Sequence, residues 1–413
     1  MPNSPDSSQE LIYDWNSIGP IEKPLKQVIE FDDETLRDGL QSPSVTDPKI
    51  EDKIKILHLM DGLGIQIADI GLAGAGPNAY ESVYRLAKEI RDAKLNIRAD
   101  SAARTVISDI DPIIEISQKV GIPIEVSTFI GSSPIRQYVE EWDLDSMLKR
   151  TEVAVEYVVK HNLPVMYVTE DTARANPDTI KKLYTTAIEC GAKRICVCDT
   201  VGHSTPEGVK NLISYIREIV VQTGEEVKID WHGHCDRGLA TINSISAIIA
   251  GADRIHGTAL GIGERAGNTP MDILLVNLKL LGWIKQDLTK IPEYCKKVAN
   301  ACEIKIPNNY PIIGEDAFRT ATGVHASAVI KAEKKGDYGL ANRIYSGVPA
   351  DMVGLKQKIE IGHMSGESNV IYWLKQKGIE PHDKRVKHIL KHAKMANKVL
   401  TEQEILNRYC SEE

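Results

Sequence analysis

Nowhere in the 413 residues does an apolar run approach the roughly 18 that a membrane helix requires, so no spanning segment is expected. The N-terminal stretch MPNSPDSSQE is polar and lacks the apolar core of a signal peptide. Seven cysteines, an odd number in so long a chain, do not make a disulfide framework, and a reduced, cytoplasmic protein is expected. Long blocks of one charge are also missing. The net charge is −8 with acids and bases interspersed, which argues against nucleic acid or an anionic membrane as partner. What remains is an ordinary globular composition, 42% apolar and 26% charged, in a chain long enough for one large α/β domain plus an appendage.

Apolar, often β-branched runs recur along that chain: QVIEF (27–31), IQIADI (65–70), LNIRA (95–99), PIEVSTF (123–129), PVMYVT (164–169), RICVC (194–198), VKIDW (227–231) and DRIHGTA (253–259). Their spacing of roughly 30 residues, with helical patterns between them, predicts strand–helix alternation. Gly64, Gly121, Gly191 and Gly251 each fall between an amphipathic stretch and the next strand, where a glycine ends a helix in the left-handed conformation. Eight such units predict a (β/α)8 TIM barrel over residues 25–284; an open doubly wound sheet is the alternative. Residues 1–24, rich in Ser, Pro and Asp, read as a flexible extension. Residues 285–345 read as a linker and first subdomain, and 346–413 as a second, helical subdomain. There Val386, Ile389, Leu390, Ala393, Ala396, Val399 and Leu400 keep helical spacing, and Thr401 with Glu404 forms a capping box. Lys384, Lys387, Lys391, Lys394 and Lys398 read as a solvated helix face.

Barrel enzymes carry their chemistry at the C-terminal strand ends. Here those ends offer Arg37 and Asp38, Arg104, Ser127, Thr128, Ser132 and Ser133, Glu170 and Asp171, Asp199 and Thr200, and the tripeptide His232-Gly233-His234. DDETLRDGLQS (32–42) crowds four carboxylates and an arginine at the end of the first strand. Residues i and i+2 of a strand project to one face, so His232 and His234 address one point. Two imidazoles and a carboxylate make a common divalent-metal set, and barrel closure carries Asp38 beside them. GIGERAGN (261–268), with Gly261, Gly263 and Gly267, precedes a helix expected to be capped by Asn268 or Thr269, an arrangement suited to an anion such as a cofactor phosphate. Glu264 and Arg265 read as an ion pair holding that loop. Glu170 is a candidate base, and Asp171 a cap for the helix over 176–190. On local physics His325 in TGVHAS, Tyr345, and the strand pair Cys196 and Cys198 read as structural or packing residues.

DETLRDGLQSP, HGH and GIGERAGN occur in an order that resembles the DRE-TIM metallolyase superfamily, and within it the synthases that join acetyl-CoA to a 2-keto acid: alpha-isopropylmalate, homocitrate and citramalate synthases. VTEDTAR (168–174), CDTVGHSTP (198–206) and PIIGEDAFRTATGVH (311–325) resemble further signatures of those enzymes. The resemblance covers nearly everything from residue 26 onward. It implies a divalent ion (Zn, Mn or Mg) on Asp38, His232 and His234, with Asn268 as a further ligand. It also implies Arg37 at the oxyanion, Thr200 on the keto-acid carboxylate, and Arg104, Ser127 and Glu170 in substrate binding. Glu170, His325 and Tyr345 would be acid/base groups, the last two reaching across a homodimer, and the glycine loop would serve acetyl-CoA.

The expected reaction is condensation of acetyl-CoA with 2-ketoisovalerate to 2-isopropylmalate, as in leucine biosynthesis. 2-Oxoglutarate or pyruvate as acceptor, and carbon–carbon cleavage of the HMG-CoA lyase or aldolase kind, are the alternatives. RDGLQ, with Leu40, also resembles the lyase spelling, but TALGIGERAGN lacks the lyases' loop cysteine. Ser127, Arg136 and Leu260 depart from the residues usual in alpha-isopropylmalate synthases, and a basic pocket built from Arg104 or Arg136 would favour 2-oxoglutarate. The leucine-binding regulatory domain of longer members is not expected.

Overall fold

A computed structural model describes residues 11–18 and 22–411. Part of the expected N-terminal extension, residues 1–10 and 19–21, thus lies outside the described residues. The chain forms two compact units, one spanning Glu22–Lys305 and the other containing Ile306–Glu413.

The first unit is the expected TIM barrel. Strands β1 (Glu30–Asp33), β2 (Ile67–Asp69), β3 (Arg98–Arg104), β4 (Glu125–Gly131), β5 (Val165–Glu170), β6 (Arg194–Asp199), β7 (Lys228–Gly233) and β8 (Arg254–Gly257) follow one another around a closed barrel. Every neighbouring pair is parallel, and β1 closes on β8 in the register Glu30↔Arg254 to Asp33↔Gly257. Helices alternate with the strands, as in Ile50–Gly62 after β1 and Pro206–Thr223 after β6. Gly121 and Gly251 end their helices at φ +78° and +107°, a conformation costly to any residue with a Cβ.

Alternation along the strands separates two environments. Ile195, Val197, Ile229 and Trp231 are buried in the apolar layer under the helices. Their neighbours Arg194 and Asp230 face the lumen. There Arg194 meets Glu30 at 2.7 Å and Asp230 at 2.5 Å, while Arg254 meets Glu125 at 2.6 Å and Asp230 at 2.5 Å. The N-terminal end of the barrel is therefore plugged by paired charges. A charge removed from water persists there only with such partners.

Two strands lie further along the chain than the apolar runs indicate. β1 begins at Glu30, the fourth residue of QVIEF, with Val28 exposed, and continues past the run, so Asp32 and Asp33 belong to the strand itself and are fully buried. Asp33 accepts hydrogen bonds from the Tyr294 hydroxyl and from the amide of Thr35. Those bonds tie the helix Ile291–Ala301, beyond residue 284, to the barrel. β3 likewise runs to Arg104 rather than stopping at Ala99. Two expected caps are also corrected. Asn176, not Asp171, caps Pro177–Glu189, accepting from the amide of Asp178 at 3.0 Å, while Asp171 holds Arg174. The helix Met271–Leu280 follows Pro270 without a side-chain cap, because Asn268 and Thr269 are turned inward.

The second unit is mostly helical: Gly323–Lys334, Tyr338–Arg343, Glu367–Gln376, Asp383–Met395 and Glu402–Cys410, with a two-stranded parallel sheet of Arg319–Thr320 and Lys358–Ile359. Val386, Ile389 and Ala393 pack with Ile361, Val370, Leu374 and Ile405. The helix stops at Met395, so the spacing that continues through Ala396 to Leu400 is not helical; Thr401 and Glu404 do form the capping box of the last helix. Among the described residues no helix is long and apolar enough to cross a membrane.

Candidate metal centre and catalytic cavity

At the C-terminal ends of the strands lies a cavity of about 240 Å³. Its lining includes Arg37 and Asp38 after β1, Ser127 of β4, Glu170 at the end of β5, Thr200 after β6, and His232 and His234.

Asp38, His232 and His234 offer ligand atoms that all lie within 4.8 Å of one another. The two Nε2 atoms are 3.1 Å apart, and each is 3.9 Å from Oδ2 of Asp38. Asn268 donates from Nδ2 to Oδ1 of Asp38 at 2.8 Å, which brings the glycine loop against β1. Its own Oδ1 is buried without a hydrogen-bond partner among the described residues, as is Nδ1 of His234. Two imidazoles and a carboxylate at this spacing, beside an orphaned amide oxygen, fit a divalent cation, whose bonds to such nitrogen and oxygen donors are about 2.0–2.2 Å.

The loop's glycines explain how the approach is possible. A Cβ on Gly263 (φ +149°) would stand 2.2 Å from Nδ2 of Asn268 and 3.0 Å from Oδ1 of Asp38. A Cβ on Gly267 (φ +85°) would stand 1.8 Å from the carbonyl oxygen of Gly261. Neither position has room for a side chain.

Charge is distributed unevenly in this cavity. Burial opposes protonation of His232, but the carboxylate of Glu34 outweighs it and holds the imidazole at about 9. Burial and the neighbouring charged His232 together depress His234 to about 4. Burial acts against ionised Asp38, yet Arg37 and His232 keep its carboxyl below the ordinary range. Arg37 spans three carboxylates: Glu34 at 2.6 Å, Asp38 at 2.9 Å and Asp69 at 2.7 Å. Burial pushes Glu170 upward, only partly offset by Arg136, whose Nε is 3.6 Å away. Ser127 donates to Asp100, whose carboxyl is driven well above its usual range by burial and by Asp69. Thr200 accepts from the amide of Asp171 at 2.8 Å.

Other expected residues fall elsewhere. Arg104 does not line the cavity, because its guanidinium is held by Asp109 at 2.7 and 2.9 Å. Arg136 is not a lining residue either and pairs with Glu140 at 2.8 Å. Arg265 binds Asp236 at 2.9 Å as well as Glu264 at 3.3 Å. Cys196 and Cys198 line the cavity from β6 with their sulfurs 3.8 Å apart. His325 and Tyr345 belong to the second unit, where their rings stack with centroids 4.0 Å apart.

Sequence reasoning counted Glu34 only within the crowd of carboxylates after the first strand and passed over Asp69, Asp100 and His256; all four line the cavity. A signal existed for two of them. Asp69 in IQIADI and His256 in DRIHGTA are isolated polar residues inside apolar strands, and such residues are buried only with a partner.

Comparison with known proteins agrees with this geometry. The HMGL-like family profile matches residues 28–298. The homocitrate synthase AksA of Methanopyrus kandleri is 33% identical over 371 residues, covering 89% of this chain and 87% of that protein. A probable 2-isopropylmalate synthase from the same organism is 32% identical over 365 residues, 88% of this chain and 68% of that one. Among solved structures, HMG-CoA lyase from Bacillus subtilis superposes with a TM-score of 0.57 at 19% identity, over 69% of this chain and 97% of that one; this likeness concerns the fold.

Proposed function

Because the chain belongs to the HMGL-like family, we propose that it is a divalent-metal-dependent acyltransferase that condenses acetyl-CoA with 2-ketoisovalerate to give 2-isopropylmalate. The observation that carries this reading is the convergence of Asp38, His232 and His234 with Arg37 on one cavity. Asp38, His232 and His234, with Asn268 beside them, would hold a divalent ion (Zn, Mn or Mg), which would supply Lewis acidity toward the keto-acid carbonyl.

The remaining roles fall to the chain's own groups. Glu170, half-buried with its carboxyl raised, takes a proton from the weakly acidic methyl of acetyl-CoA. The resulting carbon nucleophile forms the new bond to the keto carbon, and Arg37 stabilises the alkoxide that develops. Thr200 holds the keto-acid carboxylate, and the loop of Gly261, Gly263 and Gly267 receives acetyl-CoA. His325 and Tyr345 act as further acid/base groups, contributed across a homodimer in the cytoplasm. Water then cleaves the thioester and releases CoA.

The lining supports this choice of acceptor. Leu72, Ala102, Phe129 and Val168 are apolar, and the deeper polar groups include Asp69, Asp100 and Ser127. Of the lining cations, Arg37 is engaged by three carboxylates and Arg265 by two, while Arg104 and Arg136 do not line the cavity. A second carboxylate such as that of 2-oxoglutarate would find no uncommitted arginine among these lining residues, whereas a branched apolar side chain needs none. CoA release measured with 2-ketoisovalerate, pyruvate and 2-oxoglutarate, with and without chelator, tests this. Chelator-sensitive turnover that favours 2-ketoisovalerate is expected. No release with any of the three defeats the synthase reading, and a preference for 2-oxoglutarate defeats the choice of acceptor.

A further inference from the structure

Glu34 is buried in the acid cluster that follows β1, and the chemistry above does not use it. Three basic groups surround its carboxylate. Oε2 lies 3.1 Å from Nδ1 of His232 and 2.6 Å from the Arg37 guanidinium, and Oε1 lies 2.7 Å from Nδ1 of His256.

We infer that Glu34 is a positioning residue for the metal centre: through one carboxylate it orients His232 and holds Arg37 in register with it. The inference rests on the metal-dependent reading above. An imidazole that offers Nε2 to a cation as a neutral ring must carry its proton on Nδ1. A carboxylate facing Nδ1 selects that tautomer and fixes the rotation of the ring. His232 has a carboxylate oxygen at ion-pair distance, 3.1 Å from Nδ1, whereas Nδ1 of His234 is buried without a hydrogen-bond partner among the described residues. The pair is therefore asymmetric, with His232 as its fixed member. Arg37 contacts the same oxygen as His232, so rotation of the Glu34 side chain would move both. His256 meets only the other oxygen, Oε1, and its own Nε2 lies 3.0 Å from Oδ2 of Asp230, so it has no contact with the oxygen that faces His232 and Arg37.

The test is divalent-cation affinity of the full chain, measured with Mn2+ and Zn2+ against a competing chelator, together with the visible absorption of bound Co2+. Wild type should bind. Glu34→Ala should bind about 10- to 100-fold more weakly, the size of effect seen when the outer partner of a ligating histidine is lost, with altered Co2+ bands. His256→Asn, which leaves the His232 contact in place, should stay close to wild type. If Glu34→Ala does not fold, Glu34→Asp carries the measurement, because the shorter side chain withdraws its oxygen from His232 while keeping the charge; the same weakening is expected. Unchanged affinity and spectrum in the folded Glu34 variant overturn the inference and leave the metal reading standing. Equal losses in the Glu34 and His256 variants also overturn it, since they assign the effect to the ionic core at large. A wild-type protein that binds no divalent ion overturns the metal reading itself.

Discussion

The Nε2 atoms of His232 and His234 stand 3.1 Å apart, so both cannot carry protons aimed at one another. Burial opposes protonation of both rings, but the Glu34 carboxylate holds His232 high, while burial and the nearby His232 hold His234 low. Two ring nitrogens this close, with Asp38 facing both, converge on one point. A divalent cation is the natural occupant of such a position.

Divalent cations should accordingly stabilise the fold. A ligand at 100 times its dissociation constant contributes about 2.7 kcal/mol to stability, which appears as a rise in melting temperature. The rise should be present in wild type and lost in Asp38→Asn and His232→Ala. Scanning calorimetry with titrated Mn2+ or Zn2+ makes the comparison, and an equal rise in all three proteins would remove Asp38 and His232 from the metal site.

Replacing Arg37 by lysine keeps the charge but not the fork that spans Glu34, Asp38 and Asp69. An ammonium cannot satisfy three carboxylates arranged around a planar guanidinium. Loss of such a donor at a developing oxyanion costs about 10²–10³-fold in kcat. Steady-state kinetics of Arg37→Lys should show that fall, and wild-type kcat would take Arg37 out of the reaction.

Glu170 gives the pH dependence its sign. Burial raises its carboxyl, so a general base at this position gains activity as the pH climbs through a value above the ordinary carboxylate range. The acid limb of the kcat/KM profile should lie there in wild type and vanish in Glu170→Gln, with overall turnover much reduced. An acid limb that survives in the variant belongs to another group.

Gly263→Ala tests the contact between the glycine loop and the metal centre. The new methyl would overlap Nδ2 of Asn268 and press on Asp38, at a backbone angle unfavourable to alanine. Weakened cation binding is expected with the barrel intact by circular dichroism. Normal cation affinity in a folded variant would show that the loop does not hold Asp38 in place.

Much of this protein was decided by short-range pattern. Eight apolar runs and the glycines Gly64, Gly121, Gly191 and Gly251 specify alternating strands and helices, because hydrophobic period and left-handed backbone are local properties. His232 and His234 face one point because side chains two apart on a strand always do. Tertiary structure decided which partner each charge found. Arg104 turned to Asp109 rather than the cavity, Asn268 turned to Asp38 rather than capping a helix, and Glu34 met His232 and His256 across about half the chain. Those choices depend on the register in which β1 closes against β8. That register is set by packing around the whole barrel, and no window of neighbouring residues contains it.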